Sequence, residues 1–496
     1  MPARQSIHKG KTLETLQFDN IYSELPEIFY SRHPVERLKN QFVIHFNPVV
    51  AELLDIDLEE FFREDLTDMI TGRKPWSGID PLGMCYAGHQ FGQYVPRLGD
   101  GRALLLGQLR NADNSLWDLH LKGSGRTLYS RQGDGKAVLR STIREYLCSA
   151  ALAGLGIPTT QALVMFGSEE AVYRETIETG AMLIRVAPSH VRFGTFEFYF
   201  YQNRFEDLRV LADFVLQHYY AHLMGEKEPI LAFFSQVIED TANLIAQWQG
   251  VGFCHGVMNS DNMSIHGMTI DYGPFGFMDT FDANHICNHS DHSGRYAFNR
   301  QPSIALFNLS CLAQAILPLL ADDPHKAVEK ATAALKKYEP LFDKAYLDIK
   351  RQKLGLARQL PGDQQLYDDL LSIMEKEKMD FTQTFRSLTG LDDLIASDKI
   401  RSKFKDWLVR YENRLQNEIL PEQKRIAAMN KTNPKYVLRN YLAETAIQKA
   451  RDEKDYAEID RLMKLLQNPF QAQPEFDHYA QSPPDWAKSL SVSCSS

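Results

Sequence analysis

The sequence predicts an α+β fold of two lobes, and three observations support it. Between residues 102 and 187, short apolar or alternating runs recur between turn signals, which is typical of an antiparallel sheet. After about residue 206, apolar residues recur mostly at helical spacing. The composition is that of an ordinary globular protein, with 496 residues of which 44% are hydrophobic and 24% charged. That length allows two to four structural units.

Five segments in the first half carry the strand pattern. They are ALLLGQL at 103–109, LWDLHLK at 116–122, QALVMF at 161–166, AVYRETI at 171–177 and AMLIRVA at 181–187. One helix is expected between them, because AVLRSTIREYLCSAALAGLG at 137–156 has apolar residues at helical spacing and ends in glycines. We therefore assign residues 96–205 to a strand-rich lobe and residues 1–95 to an extension that packs on it.

The second half is predicted to be mostly helical. The helical stretches are 206–226, 229–249, 303–321, 324–353 and much of 363–468. These form a second lobe at 206–468, interrupted by a segment at 272–302 that is rich in Gly, Asn, His and Asp and is expected to be irregular. The tail at 469–496 carries four prolines and is expected to be extended.

Composition excludes several classes of function. A formal charge of −9 argues against broad nucleic-acid or anionic-membrane binding, because both require a basic surface. The longest apolar stretch, Leu309–Ala321, is shorter than the ~18 residues that span a bilayer. The N-terminus lacks an apolar signal core, so we expect a cytoplasmic protein. We also expect a monomer. Six cysteines without a C-x-x-C pair predict no disulfide framework.

The segment from His255 to Gly273 follows the order of a protein-kinase catalytic loop. Asn262 lies seven residues after His255, and Asp271-Tyr272-Gly273 follows in the place of the kinase D-F-G. Asn262 and Asp271 offer the oxygen ligands that Mg²⁺ prefers. His255 is expected to brace the backbone.

The kinase base is missing from this loop. Its place holds Val257, which has no titratable group, so ordinary kinase chemistry is doubtful. Asp261 is the nearby carboxylate that could replace the base. The alternative for Asp261 is a structural role in an Asx turn.

Upstream elements fit a nucleotide site in the same order. The turn Gly99-Asp100-Gly101-Arg102 precedes the first strand, where backbone amides and a guanidinium could approach phosphate. Lys122 ends the next strand, and Glu145 lies on the following helix, where it could hold the ammonium in place. Taken singly, the three features could equally be an ordinary hairpin turn, an exposed lysine and a solvated glutamate. Together they favour a kinase-like ATP site.

The sequence does not favour a zinc site. Four candidate ligands lie in NHICNHSDH, but their spacing matches no standard finger. They are His285, Cys287, His289 and His292.

Several long strings resemble the selenoprotein O family, whose members are pseudokinases that act as protein adenylyltransferases. The strings are RLGDGR (97–102), HLKGSGRT (120–127), RQGDGKAVLRSTIREYL (131–147), HGVMNSDNMSI (255–265) and IDYGPFGFMD (270–279). The resemblance implies a protein-kinase-like bilobal fold. It also implies that ATP binds inverted relative to kinases, with its α-phosphate presented to the acceptor and its γ-phosphate buried.

The resemblance assigns roles to individual residues. Asp261 resembles the proton acceptor, Asn262 and Asp271 the ligands of Mg²⁺ or Mn²⁺, and Asp271 also approaches the nucleotide. Eight further residues correspond to ATP contacts: Gly99, Gly101, Arg102, Lys122, Asp134, Gly135, Arg185 and Arg192. Cys494 looks like the sulfur counterpart of the selenocysteine in eukaryotic relatives.

The expected activity is transfer of AMP from ATP to Ser, Thr or Tyr hydroxyls of proteins. Two alternatives remain: a phosphotransferase that uses Asp261 as a displaced base, and a non-catalytic ATP-binding scaffold. The choice between AMP and UMP also stays open. A regulatory disulfide between Cys287 and Cys494 is a further hypothesis, to be weighed against two unlinked thiols.

Overall fold

The structure is a computed structural model that describes residues 10–390 and 398–493. In the described residues, nine antiparallel strands form one sheet in the order β2-β4-β7-β8-β11-β10-β3, with β1 paired to β7 and β9 paired to β11. The strands are β1 Gln17–Phe18, β2 Tyr30–Arg32, β3 Phe42–Phe46, β4 Leu82–Met84, β5 Gly88–Gln90, β6 Gln93–Val95, β7 Ala103–Arg110, β8 Leu116–Lys122, β9 Ala137–Val138, β10 Gln161–Tyr173, β11 Ile177–Ala187, β12 Phe253–Cys254 and β13 Gly276–Phe277.

Most helices follow the sheet in the chain. They are α1 Pro48–Leu53, α2 Leu66–Ile70, α3 Leu139–Gly154, α4 Phe193–Tyr201, α5 Phe205–Tyr219, α6 Pro229–Val251, α7 Gln301–Leu320, α8 Pro324–Leu335, α9 Tyr338–Lys353, α10 Asp363–Glu377, α11 Phe381–Ser387, α12 Asp398–Leu415, α13 Glu422–Thr432, α14 Asn440–Gln448 and α15 Ala457–Gln467. This arrangement of a sheet-rich first part and a helical second part confirms the predicted α+β fold.

The sheet is covered on both faces. The N-terminal extension contributes β1–β4 to the sheet, and the rest of it packs against one face, where Leu119 and Leu121 of β8 share a core with Val50 and Trp76. The other face packs against α3. Side chains alternate along a strand, so His120 and Lys122 face α3 while their leucine neighbours face the extension. This alternation places polar groups between the sheet and α3.

The turn after α6 positions the catalytic loop. Helix α6 ends at Val251 and is capped by Gly252, whose φ of +70° lies in the left-handed region that favours glycine. The chain then forms β12, which pairs with β13 through Phe253 opposite Phe277 and Cys254 opposite Gly276. The two short strands fix both ends of the intervening segment, which contains the loop at 255–262 and Asp271.

Several element boundaries differ from the sequence prediction. The segments predicted as strands at 161–166 and 171–177 belong largely to one strand, β10, which absorbs residues 167–170 through irregularities in its pairing with β11. The hairpin turn lies at 174–176 instead. The helix predicted at 324–353 is two helices, α8 and α9. The tail is less extended than predicted, because its described part contains 3₁₀ turns at Pro474–Ala480 and Asp485–Ser489.

One helical segment in the described residues, Phe298–Leu320, is long and apolar enough to cross a membrane by length and composition alone. In its most apolar window, 56% of the residues are buried inside the protein. It contains α7, which packs against α4, α6 and α8 in the way that a core helix of a helical lobe does.

Candidate active site

His255 braces the catalytic loop from a buried position. Its Nε2 donates to the carbonyl oxygen of Ile270 at 2.9 Å, and its Nδ1 accepts from the backbone N–H of Val257 at 3.3 Å. Burial lowers the pKa of His255, so the ring is neutral. These bonds join the start of the loop to the residue that precedes Asp271, which fits the predicted structural role.

Val257 and Asp261 differ in what they offer chemically. Val257 packs in the hydrophobic core and offers no polar atom. Asp261 is 7% exposed, and its Oδ1 has no hydrogen-bond partner among the described residues. Burial raises the pKa of Asp261 to about 7, although the positive charge of Arg192 opposes this. A carboxylate that takes up a proton near neutral pH is suited to general base catalysis.

A hairpin from the N-terminal extension lies directly against Asp261. It consists of β5 and β6, and Nε2 of Gln90 donates to Oδ2 of Asp261 at 3.3 Å. The backbone N–H of His89 donates to Oγ of Ser260 at 2.6 Å. These contacts could not be predicted from the sequence, because Gln90 is 171 residues from Asp261.

Gly88 makes room for the carboxylate. A Cβ at Gly88 would lie 2.6 Å from Oδ1 of Asp261, closer than any van der Waals contact. We expect Gly88→Ala to displace the hairpin or Asp261 and to lower kcat on the order of 10²-fold, with ATP affinity unchanged. Steady-state kinetics and an ATP-binding measurement check this. Gly225→Ala is the matched control, since nothing lies within 4 Å of a Cβ there. Equal rates for the two variants would contradict the expectation.

Asn262 and Asp271 fit a hard divalent cation. Nδ2 of Asn262 donates to the carbonyl oxygen of Val257 at 3.0 Å, which leaves its Oδ1 as a ligand atom. Burial alone would raise the pKa of Asp271, but the charges of Arg185, Arg192 and Lys122 hold it well below its usual range. An ionised carboxylate and an amide oxygen suit Mg²⁺. When bound, the metal would neutralise phosphate charge.

Positive side chains gather around Asp271. We call Arg102, Lys122, Arg185 and Arg192 the cation cluster. Arg185 donates to one carboxylate oxygen of Asp271, and Nη1 of Arg192 donates to the other at 2.6 Å. The same Nη1 donates to the carbonyl oxygen of Asp261 at 2.9 Å. Arg192 therefore links the predicted base to the predicted metal ligand.

Glu145 neutralises part of this charge. It pairs with Lys122, and its Oε1 lies 3.4 Å from Nη1 of Arg185. The side chains of all three are at most 8% exposed. Burial lowers the pKa of Lys122, and the nearby charges of Arg102 and Arg185 add to this while Glu145 opposes it. The predicted pairing of a strand lysine with a helix glutamate is present.

Side-chain hydrogen bonds hold the first glycine segment, the turn at 99–102, against the second glycine segment at 123–135. Oγ1 of Thr127 donates to the carbonyl oxygen of Asp100 at 2.6 Å, and Oγ of Ser130 donates to that of Gly101 at 2.5 Å. Gly99 has a φ of +70°, and a Cβ there would lie 2.3 Å from the ring of Tyr129. Glycine is therefore required for packing at Gly99, independently of any phosphate contact.

Asp134 and Gly135 lie in the second glycine segment. Asp134 forms a bidentate pair with Arg174 at 2.8 and 3.0 Å, and it accepts the backbone N–H of Lys136. A Cβ at Gly135 would lie 2.1 Å from the backbone of Gly125. Burial lowers the pKa of Arg102, and the charge of Arg174 adds to this. Arg174 thus lies between Asp134 and the cation cluster, and the sequence prediction did not include it.

His120 and Asp100 are two further buried residues beside the cation cluster, and the sequence prediction did not include them. Nδ1 of His120 lies 2.8 Å from Nη2 of Arg185, and its Nε2 lies 3.0 Å from Oδ2 of Asp100. Burial lowers the pKa of His120 to about 3, so the ring is neutral. The sequence could have indicated both residues, because Asp100 lies between the predicted glycines and His120 shares a strand face with Lys122.

The four residues considered as zinc ligands and the cysteine pair have different outcomes. In the part of the chain that the structure describes, His285, Cys287, His289 and His292 do not form a metal-binding group. Cys287 is a buried free thiol whose Sγ lies 3.5 Å from the carbonyl oxygen of Cys254. Cys494 lies outside the described residues, so the predicted disulfide stays a prediction.

The chain is similar over nearly its whole length to proteins of one family. A family model described as "Protein adenylyltransferase SelO" matches residues 12–467. Proteins named "Protein nucleotidyltransferase YdiU" from Thioalkalivibrio sulfidiphilus and Myxococcus xanthus are each 49% identical, covering 99% and 98% of this chain and 100% of the relatives. One of the same name from Vibrio vulnificus is 46% identical, with coverage of 97% and 99%. The chain belongs to the SelO family of protein adenylyltransferases.

Proposed function

We propose that this chain transfers AMP from ATP to Ser, Thr or Tyr hydroxyls of protein substrates and releases pyrophosphate. The observation that carries the proposal is the position of Asp261, a buried carboxylate joined through Arg192 to the predicted metal ligand Asp271. Val257, in the place of the kinase base, cannot accept a proton. The acceptor hydroxyl would give its proton to the carboxylate of Asp261 as its oxygen attacks phosphorus.

The cation cluster supports attack at the α-phosphate. Pyrophosphate is then the leaving group, and its growing negative charge is stabilised by several fixed cations more than by one lysine. Arg185 and Arg192 have side chains that are 5% and 2% exposed, and hydrogen bonds to Asp271 hold both in place. This preorganised charge fits an ATP bound with its γ-phosphate buried and its α-phosphate near Asp261.

Magnesium or manganese is the proposed metal, held by Asn262 and Asp271. The metal would neutralise phosphate charge, while Arg192 and Gln90 fix the predicted base. The residues of this chain thus supply proton transfer, orientation and charge stabilisation, and the metal adds a divalent charge at the phosphates.

Parallel reactions with ATP labelled at the α- or the γ-phosphate test the proposal. We expect protein to be labelled only by the α-labelled nucleotide, with a mass increase of one AMP that peptide mapping places on Ser, Thr or Tyr. Labelling from the γ-phosphate alone would identify a phosphotransferase. Binding of ATP without either label would identify a scaffold. A parallel reaction with UTP decides between AMP and UMP.

The pH dependence of the reaction follows from the raised pKa of Asp261. The base must be deprotonated, so we expect kcat/KM to be low below pH 7 and to rise through about pH 7 to a plateau. Removing the opposing charge in Arg192→Gln is expected to move this rise to higher pH. Rates measured between pH 5.5 and 8.5 check both. A flat profile for the wild type would argue against Asp261 as the base.

A further inference from the structure

A second group of potential ligands lies next to the active site and contains none of the predicted catalytic, ATP-binding or metal-binding residues. His89 of β5, Glu197 of α4 and Cys311 of α7 each offer one ligand atom, and these three atoms lie within 4.8 Å of one another. They come from three elements that are far apart in the sequence, so only the fold brings them together.

The group is enclosed and incompletely satisfied. Glu197 is 0% exposed; its Oε2 lies 2.5 Å from Nδ1 of His89, and its Oε1 has no hydrogen-bond partner among the described residues. A buried carboxylate oxygen without a partner is costly, because it has lost its hydration without replacement. The ring of His89 is further enclosed by Tyr94, Tyr201 and Phe307, with ring centroids 5.5 to 5.9 Å away.

We propose that His89, Glu197 and Cys311 bind a Zn²⁺ ion. The set of imidazole nitrogen, carboxylate oxygen and thiolate sulfur is the one that zinc uses in proteins, whereas Mg²⁺ prefers oxygen alone. Three protein ligands leave a fourth position for water. On binding, the thiol of Cys311 gives its proton to solvent, and the proton between Nδ1 of His89 and Oε2 of Glu197 also leaves to solvent, so that all three ligand atoms are free to bind the metal.

The site would act on the predicted base through the β5–β6 hairpin. His89 lies between Gly88 and Gln90, which both contact Asp261, and its backbone N–H donates to Ser260. A metal that joins this hairpin to α4 and α7 would hold Gln90 against Asp261. His89, Glu197 and Cys311 are therefore positioning residues. Their effect on transfer rests on the proposed function, whereas metal binding does not.

Metal binding is measured directly on the full chain. The protein is treated with a chelator, dialysed into buffer with excess Mg²⁺ to occupy the site at Asn262 and Asp271, and titrated with Zn²⁺ or Co²⁺ alone. We expect one zinc per chain by elemental analysis. Cobalt should give a near-ultraviolet charge-transfer band, which requires a thiolate ligand.

Variants locate the metal. Cys311→Ala should abolish the cobalt band and weaken zinc binding by more than the 10–100-fold that loss of an outer-shell partner costs. Glu197→Gln keeps the shape of the side chain and should weaken binding similarly. Cys148→Ala is the matched control, because it removes a different buried thiol from a helix. Circular dichroism verifies that each variant is folded.

Several outcomes would overturn the proposal. They are a wild-type protein without stoichiometric zinc, a cobalt complex without the thiolate band, and equal binding by Cys311→Ala and Cys148→Ala. The cobalt spectrum of the wild type still tests the proposed zinc site where a variant fails to fold. Where transfer is observed, zinc removal should lower kcat and leave ATP affinity unchanged. Where no transfer is observed, the metal stoichiometry still shows whether zinc binds. The zinc proposal and the proposed function can therefore fail separately.

Discussion

Replacing Asp261 with Asn is expected to lower kcat by ~10²–10⁴-fold, the usual contribution of a general base. The amide has the same shape and can still accept the hydrogen bond from Nε2 of Gln90, but it cannot take a proton from the acceptor hydroxyl. Because Asp261 is buried with a raised pKa, the neutral amide does not cost folding stability. ATP affinity should therefore be retained.

Asp240→Asn is the matched control for this variant. Burial also raises the pKa of Asp240, which accepts a hydrogen bond from Gln236 at 2.9 Å and lies outside the candidate site. We expect its turnover to equal that of the wild type. Single-turnover kinetics with labelled ATP separate chemistry from binding. If Asp261→Asn transferred the label as fast as Asp240→Asn, Asp261 would not be the base.

The sequence predicted those parts of the candidate site whose spacing is local. His255, Asn262 and Asp271 lie within one segment between paired strands, so their order along the chain determines their proximity. Lys122 and Glu145 were also predictable, because a strand followed by a helix packed on its sheet brings a side chain from each into contact. Periodicity alone places both on the facing surfaces.

Contacts between distant segments could not be predicted in this way. Gln90 and Gly88 reach Asp261 only because the β5–β6 hairpin of the extension folds onto the catalytic loop. Neither residue carries a periodic or motif signal. The same holds for Glu197 and Cys311, which lie on two packed helices. Helix packing depends on the shapes of many side chains, and no local pattern specifies it.

Replacing Glu145 with Gln is expected to reduce the free energy of unfolding by about 3 kcal/mol or more. Glu145 is 1% exposed and faces Lys122 and Arg185, so a neutral amide leaves two buried cations without their shared counter-charge. Removing one partner of a buried pair typically costs ~3–5 kcal/mol. Lys122 would also lose its orientation, so AMP transfer should fall even at temperatures where the variant is folded.

Glu178→Gln provides the matched control, because it makes the same change in another ion pair between α3 and the sheet. Glu178 on β11 pairs with Arg140 on α3 at 3.1 Å, but the arginine side chain is 28% exposed. Solvent screens such a pair, so we expect a loss of ~0–1 kcal/mol. Urea denaturation of both variants measures the difference. ATP should stabilise Glu145→Gln against unfolding, since its phosphates supply negative charge to the cation cluster. Equal losses for the two variants would mean that burial of the Lys122–Glu145–Arg185 group does not set its energetic importance.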